Sequence, residues 1–166
     1  MDFDAIRAAS ARLPKEPAIV RKGEGPGCSL GPGQDFRFPF YGDIDQPGVY
    51  VEHSKRGSAA PLHKHPWAGL EFVADGEVRF ILGDKEHVLK SGDFVYIPPD
   101  VPHTYVVESE TARMFGVVYP GAKFREMQIE ADALFKAPGG PDMGKIVKLA
   151  ASHGVDVLGP PPQPRA

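Results

Sequence analysis

The chain has 166 residues, 25% of them charged, and a formal net charge of -3. That length suits one domain able to bury a core without disulfides or structural metals, and the charge balance leaves no basic stripe of the kind that neutralises nucleic-acid phosphates. Cys28 is the single cysteine and forbids an internal disulfide, no apolar run approaches the roughly 18 residues of a spanning helix, and the first residues carry no apolar leader, so a cytoplasmic protein with neither nucleic-acid nor membrane partners is expected.

In chain order, DFDAIRAASARL (2 to 13) reads as a short amphipathic helix with Ile6, Ala9 and Leu13 on one face. Cys28, within GPGCSLGPG, is read as a buried or loop thiol, since nothing nearby supplies the electropositive setting of a reactive thiolate. FRFPFY (36 to 41) alternates aromatic residues around Pro39 and is either an edge strand open to pairing or a segment closing one end of its own fold. Short runs rich in Val, Ile, Phe and Tyr follow: VYVEH (49 to 53), LEFVA (70 to 74), VRFIL (78 to 82), HVL (87 to 89), FVYI (94 to 97), TYVV (104 to 107) and MFGVVY (114 to 119). The 19 glycines and 18 prolines fall between such runs, with Asp75-Gly76 and Gly83 to Lys85 each suited to a tight hairpin. Short strands at this spacing predict an all-β antiparallel sandwich or barrel and exclude βαβ units.

Towards the C-terminus, DMGKIVKLAASHG predicts a helix over 141 to 153, capped by Asp142, with Met143, Ile146, Val147 and Ala150 on one face and Gly154 at its end. GPPPQPRA is expected to be extended and mobile, because consecutive prolines suit neither helix interior nor sheet ladder. The resulting division is an N-terminal segment (1–30), a barrel (31–128), a C-terminal helical segment (129–158) and a Pro-rich tail (159–166).

Chemistry concentrates in HKHPWAGLEF, 63 to 72. Side chains alternate faces along a strand, so His63 and His65 point the same way, about 6.6 Å apart along the backbone, and both imidazoles can reach one ion. His103, Tyr105 and Val107 share one face of their strand, as do Phe94 and Tyr96 of theirs. Tyr105 is the polar-tipped aromatic closest to such an ion, Phe80 a candidate pocket wall, and Trp67 a candidate lid or dimer contact; core packing is the competing reading for each. His53, His87 and His153 fall outside the pattern and are read as surface residues.

Two spacings carry a resemblance. Gly57, five residues, His63, one residue, His65, three residues to position 69 and six to Gly76 is similar to the first cupin motif, with Gly69 where that family has glutamate. Gly92, five residues, Pro98, one residue, Asp100, two residues, His103 resembles the second, with Asp100 in place of glycine and Val107 in place of asparagine. The looser patterns around them resemble small single-domain, quercetin-dioxygenase-like cupins. The resemblance implies a jelly-roll β-barrel with the helices outside, a homodimer, and one divalent transition metal (Fe, Ni, Cu, Mn or Zn) held by His63, His65 and His103. It also implies a dioxygenase acting on a small phenolic, flavonol-like or enolic molecule.

The family's acidic ligand is absent, and Glu71 is the nearest acid. Its parity matches Gly69, so it faces inward one repeat further on, roughly 6 to 7 Å away. Three readings stand: a cavity-lining catalytic base beside a three-histidine site, a fourth ligand brought in by a bulge, or a buried glutamate satisfied by a neighbouring Arg or Tyr. A small-molecule-binding cupin without turnover is the alternative to the dioxygenase, and a metal-dependent isomerase is a third possibility.

Overall fold

The alternating strands form two facing antiparallel sheets in a computed structural model that describes residues 2–11, 13, 15–41, 44–121 and 123–166. In chain order these are α1 (Phe3–Ser10), β1 (Gly27–Ser29), β2 (Gln34–Tyr41), β3 (Gly48–Lys55), β4 (Leu62–Lys64), β5 (Ala68–Asp75), β6 (Glu77–Leu82), β7 (Lys85–Lys90), β8 (Phe94–Ile97), β9 (His103–Val107), β10 (Thr111–Tyr119), α2 (Phe124–Phe135), α3 (Met143–Ser152) and β11 (Asp156–Gly159). The larger sheet runs β1-β2-β3-β10-β5-β8 and the smaller β11-β4-β9-β6-β7.

Period-two alternation decides which side chains enter the space between the sheets. On β10 the buried residues are Ala112, Met114, Gly116 and Val118, and on β3 they are Gly48, Tyr50, Glu52 and Ser54. Register aligns them in rows: Gly48, Val118, Gly69 and Ile97 form one, and Tyr50, Gly116, Glu71 and Val95 the next. One apolar cluster, with Val73, Phe80, Val107 and Met114, fills the space between the sheets. A second, with Phe36, Phe38, Tyr50, Trp67 and Val118, extends to Ala150 of α3.

Several expectations need correction. Asp75-Gly76 does not close a hairpin: β5 and β6 belong to different sheets, so this turn is a corner, whereas Gly83 and Asp84 do join the paired strands β6 and β7. Only the start of FRFPFY is covered, because the three-residue β1 pairs with β2 no further than Arg37, and a register shift against β3 between Arg37 and Phe40 accommodates Pro39, which has no ladder N–H to give. α1 ends at Ser10 and Leu13 lies beyond it, while the Ile6 and Ala9 side chains and Arg12 lie outside what the structure describes. Within α3, Met143 and Val147 are exposed and the helix turns Ile146, Leu149 and Ala150 inward.

The chain after 158 is held in place. Arg79, buried with Glu108, donates to the Glu108 carboxylate at 2.6 Å and to the carbonyl of Gln163 at 2.7 Å, while the Arg165 N–H donates to Glu108 at 2.8 Å. The tail expected to be mobile thus supplies hydrogen-bond partners to a buried ion pair. Upstream, β11 pairs with β4 and places Val157 opposite His63, so the strand carrying the first histidine is not an edge.

Candidate metal centre

His63 sits on β4 directly opposite His103 on β9, and His65 follows where β4 ends. The ring centroids of His63 and His103 are 4.2 Å apart, those of His65 and His103 4.7 Å, and those of His63 and His65 5.6 Å. One ligand atom from each lies within 4.8 Å of the others. His65 and His103 are buried and His63 half-buried.

The hydrogen bonds settle which nitrogen is free. Nδ1 of His63 lies 2.7 Å from the Pro61 carbonyl, that of His65 2.9 Å from the Trp67 carbonyl, and that of His103 2.8 Å from the Val101 carbonyl. A carbonyl only accepts, so each Nδ1 carries the proton and each Nε2 keeps a lone pair for an ion. Protonation would spoil this arrangement, and burial opposes it. Desolvation, then the charge of His103, pushes His63 down to about 4. Desolvation, then His103 and His63, pushes His65 down to about 3, and burial lowers His103 as well. Three neutral imidazoles, two buried and one half-buried, with matching tautomers and ligand atoms within 4.8 Å of one another fit a divalent transition metal.

Local sequence explains the placement. Trp67 is 2% exposed and stacks on the His65 ring at 4.4 Å with 5° between planes, so it is neither lid nor exposed dimer contact but the wall that orients His65. Its indole N–H is buried without a partner among the described residues. Asp100, where the resembling motif has glycine, adopts φ 61 and donates its N–H to the His65 carbonyl at 2.8 Å. This left-handed position is one that Asp tolerates better than most side chains do.

Glu71 does not belong to the three-histidine group. Its Oε1 accepts from the Tyr50 hydroxyl, and its Oε2 is buried without a partner among the described residues. Burial pushes its carboxyl up to about 8 against the pull of the Tyr50 hydroxyl, with the charge of Glu52 adding to the rise. Tyr105 reaches across to the other sheet, its hydroxyl 2.8 and 2.9 Å from the two Glu52 oxygens, while Phe80 packs against its ring at 5.6 Å. Sequence reasoning missed Glu52 and Tyr50, for which inward parity within VYVEH on β3 was the available signal, and Gln34 at the start of β2. A surface cleft of about 380 Å³ that includes His53, Lys55 and Arg113 shares no residue with the histidine site. His87 is exposed, but the His153 side chain is only 11% exposed, contrary to its reading as a surface residue.

Two facing antiparallel sheets carrying three clustered histidines are the arrangement that the resemblance to cupins implied, and comparison with known proteins agrees. The family model described as Cupin domain matches residues 50–119. Quercetin 2,3-dioxygenase of Bacillus subtilis is 30% identical over 121 residues, covering 66% of this chain, and the chain spans 34% of that relative's length. Among solved structures, an RmlC-like cupin from Shewanella frigidimarina superposes with a TM-score of 0.57 at 17% identity, over 63% of this chain and 92% of its own. KdgF from Halomonas sp. gives 0.57 at 16% over 63% and 94%, and the polyketide cyclase RemF from Streptomyces resistomycificus 0.54 at 19% over 63% and 80%. Residues 50–119 thus match a cupin domain, and the likeness to the solved cupin structures is one of fold.

Proposed function

We propose that the chain is a metal-dependent cupin of the dioxygenase type, acting on a small phenolic, flavonol-like or enolic compound. The observation that carries this reading is the set of three neutral imidazoles with every Nδ1 engaged and every Nε2 free. A bound iron, nickel, copper or manganese ion would supply the redox link between substrate and dioxygen, whereas zinc would supply only Lewis acidity.

The chain's own residues do the rest. Because His63, His65 and His103 bring no negative charge, the site favours a ligand that presents an anionic oxygen. Glu71, inward-facing and one strand repeat from Gly69, acts in its ionised form as the base that removes a proton from the ligand hydroxyl as it enters, so activity should rise as pH passes about 8. Phe80 and Tyr105 wall the ligand space, and Trp67 keeps His65 in place. The likeness to the Bacillus enzyme supports an oxygen-rich substrate. Elemental analysis of the purified protein and oxygen uptake on adding quercetin test the reading: a redox metal with uptake supports it, and a redox metal without uptake on quercetin, a diketone or catechol contradicts it.

A binding cupin without turnover is the second reading, favoured by Gly69 at the position where the family motif has an acid. Zinc or no metal, with an organic molecule released on denaturation and no oxygen uptake, would decide for it. We also propose that two copies pair through the outer face of the larger sheet. There Leu70, Phe94, Tyr96, Phe115 and Tyr119 are 38%, 61%, 60%, 39% and 60% exposed, and an apolar surface of this kind is characteristic of an interface.

A further inference from the structure

Two glutamates stand on the inner face of the larger sheet in different surroundings. Glu52 is 2% exposed and has a donor near each oxygen: Oε1 accepts from Gln34 Nε2 at 3.1 Å and from Ser54 Oγ, and the single Tyr105 hydroxyl lies 2.8 and 2.9 Å from the two oxygens. Among the described residues Glu71 accepts from Tyr50 alone, and its Oε2 is buried with no donor. A buried acceptor left empty is destabilising, which makes it a place where a ligand's donor would be welcome.

The Tyr50–Glu71 contact spans two strand gaps and depends on one glycine. Tyr50 on β3 is opposite Gly116 on β10, which is opposite Glu71 on β5. A Cβ at Gly116 would overlap the Tyr50 ring, so the absent side chain is the slot through which the ring crosses β10. Phe36 at 5.8 Å and Phe124 at 5.1 Å hold the ring from its other sides. The hydroxyl position, and with it the orientation of the Glu71 carboxylate, is therefore fixed by packing.

We propose that Tyr50 is a positioning residue, seated in the Gly116 slot, that aims Oε2 of Glu71 at a second hydroxyl of the bound ligand, so that the site selects ligands with two neighbouring hydroxyls over their mono-ethers. This rests on the metal-dependent reading above: one ligand oxygen goes to the metal and the other donates to Glu71. Glu52 is already served by Gln34, Ser54 and Tyr105, and its position inside the sheets disfavours ligands that carry a free carboxylate at that end.

The test uses zinc-loaded protein, in which oxygen chemistry is silent, titrated calorimetrically with catechol and with guaiacol, its mono-methyl ether. The titrations are run at a pH above the value of about 8 to which burial pushes the Glu71 carboxyl. Wild type should prefer catechol by about tenfold or more, the worth of a hydrogen bond to a charged group. Glu71→Gln keeps the shape but turns an N–H towards the ligand, Tyr50→Phe removes the anchor, and Gly116→Ala displaces the ring. Each should lower the catechol-to-guaiacol affinity ratio by about tenfold, the part of the preference that the Glu71 hydrogen bond supplies. A merely structural role would weaken both ligands equally and leave the ratio intact. An unaltered ratio in Glu71→Gln or Tyr50→Phe overturns the proposal, as does failure of zinc-loaded wild type to prefer catechol. Failure of the protein to load zinc overturns the metal-dependent reading itself.

Discussion

Each of the three histidines spends Nδ1 on a carbonyl two residues away, which makes the tautomer a property of the local backbone. In the metal-free protein the folded-state values are depressed, to about 4 for His63 and about 3 for His65, from 6.5. The unfolded chain therefore binds more protons between those values, and stability falls as pH drops below 6.5. A thermal melt of metal-free protein should lose several degrees between pH 6.5 and 4, and the triple His63, His65, His103→Gln variant should lose clearly less. Glu71 works in the opposite sense. Its folded value, about 8 against 4.5, favours the protonated form, so its contribution to stability is full below pH 4.5 and disappears as pH rises to 8. Glu71→Gln should raise the metal-free melting temperature at pH 8 by about 5 °C or more and leave it nearly unchanged at pH 4.5; an equal shift at both would show that ionisation is not the cause. Gly69 carries no positive φ, and a Cβ there would meet only Ile97 at 3.7 Å. Gly69→Glu should therefore fold, and by adding a carboxylate it should tighten metal retention against a chelator. The H-x-H spacing and the distance to His103 were legible in the sequence because they are matters of strand parity. The Tyr50–Glu71 contact was not, because it depends on a glycine on the strand between them, 45 residues from Glu71 in sequence.

Strands announced themselves where alternation was sustained, and elements without a local signature were lost. α2 begins at Lys123, which adopts a left-handed conformation and makes no side-chain cap, so the capping signal that marked Asp142 for α3 was missing. β4 and β1 have three residues each, too short for periodicity, and β11 follows a helix in a stretch that reads as linker. The expected hairpin at Asp75-Gly76 failed for another reason: turn chemistry fixes that the chain reverses, not which sheet it joins. The C-terminal segment has a testable load. Deleting residues 160–166 removes the Gln163 carbonyl from Arg79 and the Arg165 N–H from Glu108, leaving a buried ion pair short of partners. A loss of about 2 kcal/mol in denaturant unfolding is expected, and a loss below about 0.3 kcal/mol would contradict the role given to the tail. Deletion from Asp156 onwards should in addition weaken metal binding, since β4 would become an edge beside His63.

At the scale of the molecule, the sandwich was legible from strand spacing and turn residues, but its polar interior was not. The space between the sheets holds Glu52, Glu71, Tyr50 and Tyr105 beside an apolar cluster that composition alone would predict. Burial raises the tyrosines well above their ordinary range, so they act as hydrogen-bond donors at physiological pH. Outside, Phe94 and Tyr96 share a face as parity requires, and that face is open to solvent. If two copies meet there, light scattering should report a dimer for the wild type and a monomer for Phe94→Asp, with unchanged circular dichroism; a variant that stays dimeric places the interface elsewhere. The central claim concerns the lone pairs of three imidazoles. Long-range proton–nitrogen correlation spectra of histidine-labelled protein read it directly: His63, His65 and His103 should each carry the proton on Nδ1 in the metal-free state, and one equivalent of zinc should shift all three Nε2 signals together. Protons on Nε2, or a zinc-induced shift at fewer than three of these rings, would contradict the account.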